Sequence, residues 1–385
     1  MKKKFSLQIF AFTITRLIID ALFRLFYPFA ADFGVGLGIS YAQVVRSLSW
    51  RSIPGFFGPF FASLADSHGR KTGMLLGLSS LFLGLAVVVL WPTFTGFVVM
   101  LVLTATSKYI FDPAMRAHLG DSVPYERRGF FMAIIEMGWS GSFLLIVPVV
   151  GFFISRWGWL SPFPLLLVLS VILGLVLFRL VPADLPVNAN SKNLFKYFEI
   201  VFSSSTARAS LVVSVLIALG SEIINLVFGV WLKDSFGLQI VAIGGAAAVF
   251  GFAELSGESL VILFTDRLGK KRAVTIGLFG TTLAALLLPV LGTSVTGALA
   301  SLFFFFLCYE FTFVSLNPIM TEVAPNSRAT LLAMAITAYA VGRWIAALVT
   351  PSLYDFGIGV TAGTAGAIYF LSWLALQGVK GVDEV

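Results

Sequence analysis

The stretch 15–29, "TRLIIDALFRLFYPF", sets Arg16, Asp20 and Arg24 at four-residue intervals inside an apolar run. Four residues is just over one helical turn, so the three charges stack on one helix face as a base–acid–base ladder. "KYIFDPAMR" repeats the spacing with Lys108, Asp112 and Arg116. Other apolar runs carry Arg46 and Arg51, then Glu222, Glu254, Glu258 and Glu310, with Arg343 as the main base opposing them. Ions placed this way can hold a charged solute, lock two surfaces together or pass a proton. Asp20 and Asp112 each lie one turn from two bases and are expected to stay ionised. Glu254 and Glu258 are one turn apart with no base beside them, so they oppose each other's ionisation and titrate as a pair. Glu222 and Glu310 also lack a local base.

The elements that must hold these ions are membrane-spanning helices. Of the 385 residues, 58% are hydrophobic and 12% charged, and the mean hydropathy is +0.96; soluble domains run at roughly 45–50% and about 25%. Windows of about 20 residues cross the hydrocarbon. They fall at 7–30, 41–64, 73–92, 95–119, 129–154 and 160–181, and again at 208–232, 239–264, 273–293, 296–320, 329–353 and 358–377. These twelve are numbered below as spans 1 to 12. An Arg or Asp at the centre of a span costs about 2.5–3.5 kcal/mol, while each large apolar residue returns about 0.3–0.6. A ladder of three charges therefore cannot face lipid and needs a protein interior or a wet cavity.

With the N-terminus inside, Lys and Arg crowd the inner segments, and only Arg156 and Lys233 fall in outer loops. Both termini are thus expected in the cytoplasm and the chain in the plasma (inner) membrane, with Trp91, Trp157, Trp159 and Trp231 near the outer interface. "MKKKFSLQIF" could open a signal peptide, but Arg16 and Asp20 interrupt its apolar region, so an uncleaved first span is expected. "FGVGLG" (33–38) follows no strand and reads as a loop after span 1, not a nucleotide fingerprint. A single cysteine, Cys308, and two histidines exclude an internal disulfide and make a Cys/His metal site unexpected. There is no P-loop pattern, and no cofactor is expected. No set of paired metal ligands or Ser/His/Asp type suggests an enzyme.

The chain repeats itself. "LADSHGRK" (64–71) after span 2 returns as "FTDRLGKK" (264–271) after span 8, and "DSVPYER" (121–127) after span 4 as "EVAPNSR" (322–328) after span 10. Two matches in one register indicate duplication, and six spans per half make the repeats parallel. The expected units are 1–181, a linker at 182–207 and 208–385.

On these residues the chain resembles the major facilitator superfamily of secondary transporters, in its drug/proton antiporter-like branch. That family's motif between helices 2 and 3 is matched by Leu64, Ala65, Asp66, Gly69, Arg70 and Lys71, with Ala62 and Ser67 departing from it. The second copy keeps Asp266, Arg267, Gly269 and Lys270, with Ile262 at the glycine position. "GSFLLIVPVVG" (141–151) is a loose version of the antiporter Gly-Pro segment, without the glycine before Pro148. The resemblance implies an all-α polytopic membrane protein, with twelve transmembrane helices as two pseudo-symmetric six-helix bundles. Spans 1, 4, 7 and 10 would line a central cavity, and the motif residues would latch one conformation. Asp66 would compensate a helix N-terminus of the other half, and Arg70 and Lys71 would hold the turn and headgroups.

On that frame each ladder keeps one surplus base, so one wall of the cavity is expected to be basic and the other acidic. Arg24 and Arg116 are the expected substrate contacts, with Asn225, Tyr309 and Asn317. Arg16, Asp20, Lys108, Asp112, Arg51 and Arg343 are expected as gates or packing pairs. Glu222 and Glu310, backed by Glu254 and Glu258, are the expected proton-coupling acids. Gly244, Gly251 and Gly257 give span 8 a surface for close packing. The function expected is proton-coupled efflux of a small organic molecule, the alternatives being lysophospholipid flipping or proton-coupled uptake of an organic anion. The partners are the substrate, protons and the bilayer, with no nucleic acid, and the chain is expected to act as a monomer.

Overall fold

The computed structural model describes residues 2–61, 69–182, 199, 202–324 and 328–380. Span 1 is built from α1 (Lys2–Arg24) and α2 (Phe26–Leu37), and span 2 from α3 (Tyr41–Phe56). Spans 3 and 4 are α4 (Arg70–Leu90) and α5 (Phe94–Ser122). Span 5 joins α6 (Tyr125–Gly141) to α7 (Val147–Trp157) through a π-turn, and span 6 is α8 (Pro162–Leu180). The second half follows as α9 (Ser205–Phe236), α10 (Ile240–Leu268), α11 (Lys270–Leu291), α12 (Val295–Val323), α13 (Arg328–Tyr354) and α14 (Ile358–Gln377), which are spans 7 to 12. Among the described residues 11 helices are long and apolar enough to cross a membrane. The twelfth, α3, has only 16 residues and carries Arg46, Arg51 and Pro54; a turn at Phe57 carries it on to Phe61. The fold is the expected pair of six-helix bundles.

Each irregularity has a local cause. Span 1 breaks after Arg24 because Pro28 has no N–H to donate back to that residue's carbonyl, and Phe29 leaves helical geometry at φ −111°, ψ 16°. The glycine-rich segment expected as a loop is helical to Leu37, and the chain turns only at Gly38, with φ +67°. In span 5, Pro148 cannot donate to Leu144, and the ladder is redistributed as the π-turn Ser142–Ile146. α3 opens on a capping box, in which Ser40 accepts from the Gln43 N–H and Gln43 accepts from that of Ser40.

Duplication persists in the helix ends. α5 and α12 both have 29 residues, and Thr93 and Ser294 cap them by accepting from Gly96 and Gly297, each at 3.2 Å. Left-handed glycines recur at Gly38 and Gly237, Gly69 and Gly269, Gly158 and Gly357.

The bundles meet most closely at the end opposite Gly69 and Gly269, hereafter the far end. There span 7 packs on α2 rather than α1. The Pro28 backbone lies where a β-carbon on Gly229 would sit. Tyr41 donates to the Leu226 carbonyl at 2.8 Å, and Lys233 pairs with Asp32 at 2.7 Å. Gly229→Val is expected to cost about 1–3 kcal/mol by overpacking this crossing, read as a lower unfolding midpoint. Trp231, five residues before the end of span 7, is buried against Phe236 and the Gly292 turn.

Candidate functional site

The two ladders lock into each other inside the first bundle. Arg16 lies 3.3 Å from Asp20, 3.9 Å from Asp112 and 2.8 Å from Glu136 on span 5. Lys108 pairs with Asp20 and, at 3.3 Å, with Asp112. Arg116 closes on Glu136 at 2.5 Å. Three bases therefore meet three acids, and the surplus charge expected on the second ladder is absent. Arg116 in particular is spent on Glu136, an acid in an apolar span that the sequence reading passed over. The ladders do not form a basic wall; they are a neutral lattice joining spans 1, 4 and 5. Arg116 and Glu136 remain 45% and 37% exposed, whereas Asp20 is fully buried. The lattice thus opens toward the end that carries Gly69.

Arg24 escapes this lattice and crosses to the second bundle. The break after it aims the guanidinium at Glu254 on span 8, with two contacts of 2.7 and 2.5 Å. It also donates to the Trp139 carbonyl at 2.9 Å, and lies 3.5 Å from the centre of the Phe143 ring and 4.3 Å from that of Trp139. A second crossing joins Arg51 to Glu222 at 2.9 Å, with Tyr27 bonded to both. Arg51 also donates to the Phe23 carbonyl. Arg343, from the second bundle, approaches Glu222 from the other side at 3.7 Å. The opposition of basic and acidic walls thus holds for these residues: Arg24 and Arg51 come from one bundle, Glu222 and Glu254 from the other. All four are at most 2% exposed.

Of the acids singled out above, Glu258 and Glu310 have no salt-bridge partner among the described residues. Glu258 accepts from Ser140 across the bundles at 2.7 Å. Glu310 is 3% exposed, and its Oε2 has no hydrogen-bond partner. The strongest charges acting on it are those of Glu254 and Glu258. Gly257 permits this arrangement, because a β-carbon there would sit 3.0 Å from that of Glu310. Gly244 and Gly251 likewise seat Pro148 and the Ser140–Leu144 segment of span 5, which is the close packing expected of span 8.

Asn225 and Tyr309 are buried near this centre, and Asn317 is exposed, in the same register as Arg116 in the other half. Of the motif residues, Asp66 lies outside the described residues, as does the side chain of Asp266. Gly69 and Gly269 take left-handed turns at φ +91° and +83°. Arg70 pairs with Asp121 at 3.3 Å, Lys270 pairs with Glu322, Lys71 lies on the Phe178 ring, and Arg267 is exposed. The two duplicated motifs are thus tied together within each bundle, base of the first to acid of the second.

The comparisons agree with this architecture. A model described as Major Facilitator Superfamily matches residues 9–347. An uncharacterized MFS-type transporter of Bacillus subtilis (strain 168), YceJ, is 23% identical over 320 residues, covering 82% of each chain. A D-xylose–proton symporter superposes with TM-score 0.78 at 16% identity, over 99% of this chain and 98% of its own. A bacterial homolog of the human lysosomal transporter Spinster, inward-facing and unoccupied, gives TM-score 0.74 at 16% identity, over 98% and 95%.

Proposed function

The chain belongs to the Major Facilitator Superfamily, and from that premise we propose that it moves a small organic molecule together with protons by alternating access. Membership makes it an integral membrane transporter of a small-molecule substrate, not an enzyme. The observation that carries the finer reading is the unequal pairing at the bundle interface. Arg24 and Arg51 are each neutralised by a glutamate of the other bundle, while Glu310 is buried beside them with no salt-bridge partner among the described residues.

Reorienting the bundles must part the crossing pairs, and a buried ion stripped of its partner costs about 3–5 kcal/mol. A proton on Glu254, or a substrate anion on Arg24, offsets that cost. Glu310 offers the proton position: a buried carboxyl with one oxygen unpartnered and no salt-bridge partner among the described residues. Glu222, between Arg51 and Arg343, fits a gate better than a proton carrier.

The interior bases Arg16, Arg24, Arg51, Lys108, Arg116 and Arg343 face the paired acids Asp20, Asp112, Glu136, Glu222 and Glu254, leaving Glu258 and Glu310 over. With protons on both, the interior keeps a net positive charge; with both ionised it is net negative. Proton and anion therefore bind best together, which supports uptake of an organic anion with protons over efflux in exchange for them. Lipid flipping needs a sideways opening; Ser140 with Glu258 joins spans 5 and 8 at one point, and Thr337 with the Gly55 carbonyl joins spans 2 and 11 at another. The family fold and the excess of inner Lys and Arg support a plasma-membrane protein with both termini in the cytoplasm.

The test is transport in proteoliposomes containing a pH dye, run against a ligand panel. Entry of an anionic solute with internal acidification is expected. Transport indifferent to the pH gradient would refute the reading.

A further inference from the structure

We propose that Arg343 is the anchor for the carboxylate of an organic monoanion, a residue role that deepens, and rests on, the transport function above. Arg343 extends from span 11 into the centre. Its guanidinium carbon lies 5.3 Å from the centre of the Phe23 ring and 6.0 Å from that of Trp139. Its nearest acid oxygen, on Glu222, is 3.7 Å away, too far for a hydrogen bond. A guanidinium carries five donors, and among the described residues none of them finds an acceptor within hydrogen-bonding distance. Arg24 and Arg51 differ: each has both a carboxylate and a backbone carbonyl.

The side chain keeps 14% exposure although its neighbours come from both bundles. The groups facing it are Tyr27 and Phe23 on span 1, Tyr109 on span 4, Trp139 on span 5, Glu222 on span 7 and Tyr309 on span 10. Lys108 adds a second cation, 5.1 Å from the centre of the same Trp139 ring.

An unmatched planar fork beside aromatic rings and phenol groups fits a carboxylate held by two parallel hydrogen bonds. The rings would pack an apolar body, and one negative charge balances the net positive charge of the proton-loaded interior. Glu222 competes weakly for Arg343 at its present distance, so a bound carboxylate leaves the Arg51–Glu222 crossing in place.

The probes are benzoate, benzamide and benzylamine, titrated against the full chain in nanodiscs at pH 5.5 and pH 8, with binding read from tryptophan fluorescence and unfolding midpoint. Benzoate is expected to bind wild type better at pH 5.5, and to bind the double variant Glu258→Gln/Glu310→Gln equally at both. Affinity should fall by about tenfold or more in Arg343→Gln, with a smaller loss in Arg343→Lys. Undiminished benzoate affinity in either variant overturns the anchor and leaves proton coupling standing. Dependence on Arg343 without dependence on pH in wild type overturns the coupling and leaves the anchor standing. Binding of benzamide or benzylamine in its place, or of none of the three, overturns the assignment of an anion.

Discussion

Glu310→Gln is expected to reduce transport driven by a pH gradient to background while exchange of preloaded substrate continues. The carboxyl is buried on span 10, with no salt-bridge partner among the described residues and one oxygen unpartnered. Glutamine copies its neutral shape and cannot release a proton. The substitution leaves Arg24–Glu254 and Arg51–Glu222 unaltered, so with substrate bound the bundles part these pairs at the same cost as in wild type. Initial rates in proteoliposomes, with an imposed gradient and then in counterflow, separate the two. Gradient-driven uptake at the wild-type rate in Glu310→Gln would remove this residue from the coupling path.

Arg24→Met is expected to destabilise the chain by about 3–5 kcal/mol, because it leaves Glu254 buried beside Glu310 without a counter-charge. The contacts of the guanidinium with the Trp139 carbonyl and the Phe143 ring are lost as well. Adding Glu254→Met should restore most of the loss, since a buried ion pair replaced by apolar side chains of similar volume is often neutral or stabilising. Function should not follow stability: the double variant has lost a charged crossing and should lose proton-dependent transport. Unfolding midpoints in detergent, set beside transport rates, check both. A single variant as stable as wild type would mean that Glu254 is neutral in the native protein.

What the sequence disclosed follows from its periodicity. Charges four residues apart inside an apolar run must share a buried face, so Arg16, Asp20, Lys108 and Asp112 were legible as interior residues. Repeated motifs located the duplication, and their acids and bases meet within each bundle, as Arg70 and Asp121 do. Pairing across the chain was not legible. The charge on Arg116 looked surplus because its partner, Glu136, lies on another span, and spacing along one helix carries no information about the next. An acid alone in an apolar span is nevertheless a signal, and weighing Glu136 with Glu222 and Glu310 would have found it. The partner of Arg24, Glu254, lies on span 8 in the other bundle, 230 residues along the chain, and the spacing of the ladder says nothing of it. The availability of Arg343 is equally invisible in the sequence, since it rests on a distance of 3.7 Å that is not one of 2.9 Å.

Ion pairs between the bundles, Arg24–Glu254 and Arg51–Glu222, help to keep the far end closed. Spin labels at Val35→Cys on span 1 and Phe356→Cys between spans 11 and 12, both exposed, with Cys308→Ser, report the separation of the bundles there. Pulsed electron resonance should give one short distance in the otherwise wild-type chain, and an added longer population once Arg24→Met and Glu254→Met are both present. Superimposable distance distributions in the two proteins would contradict it.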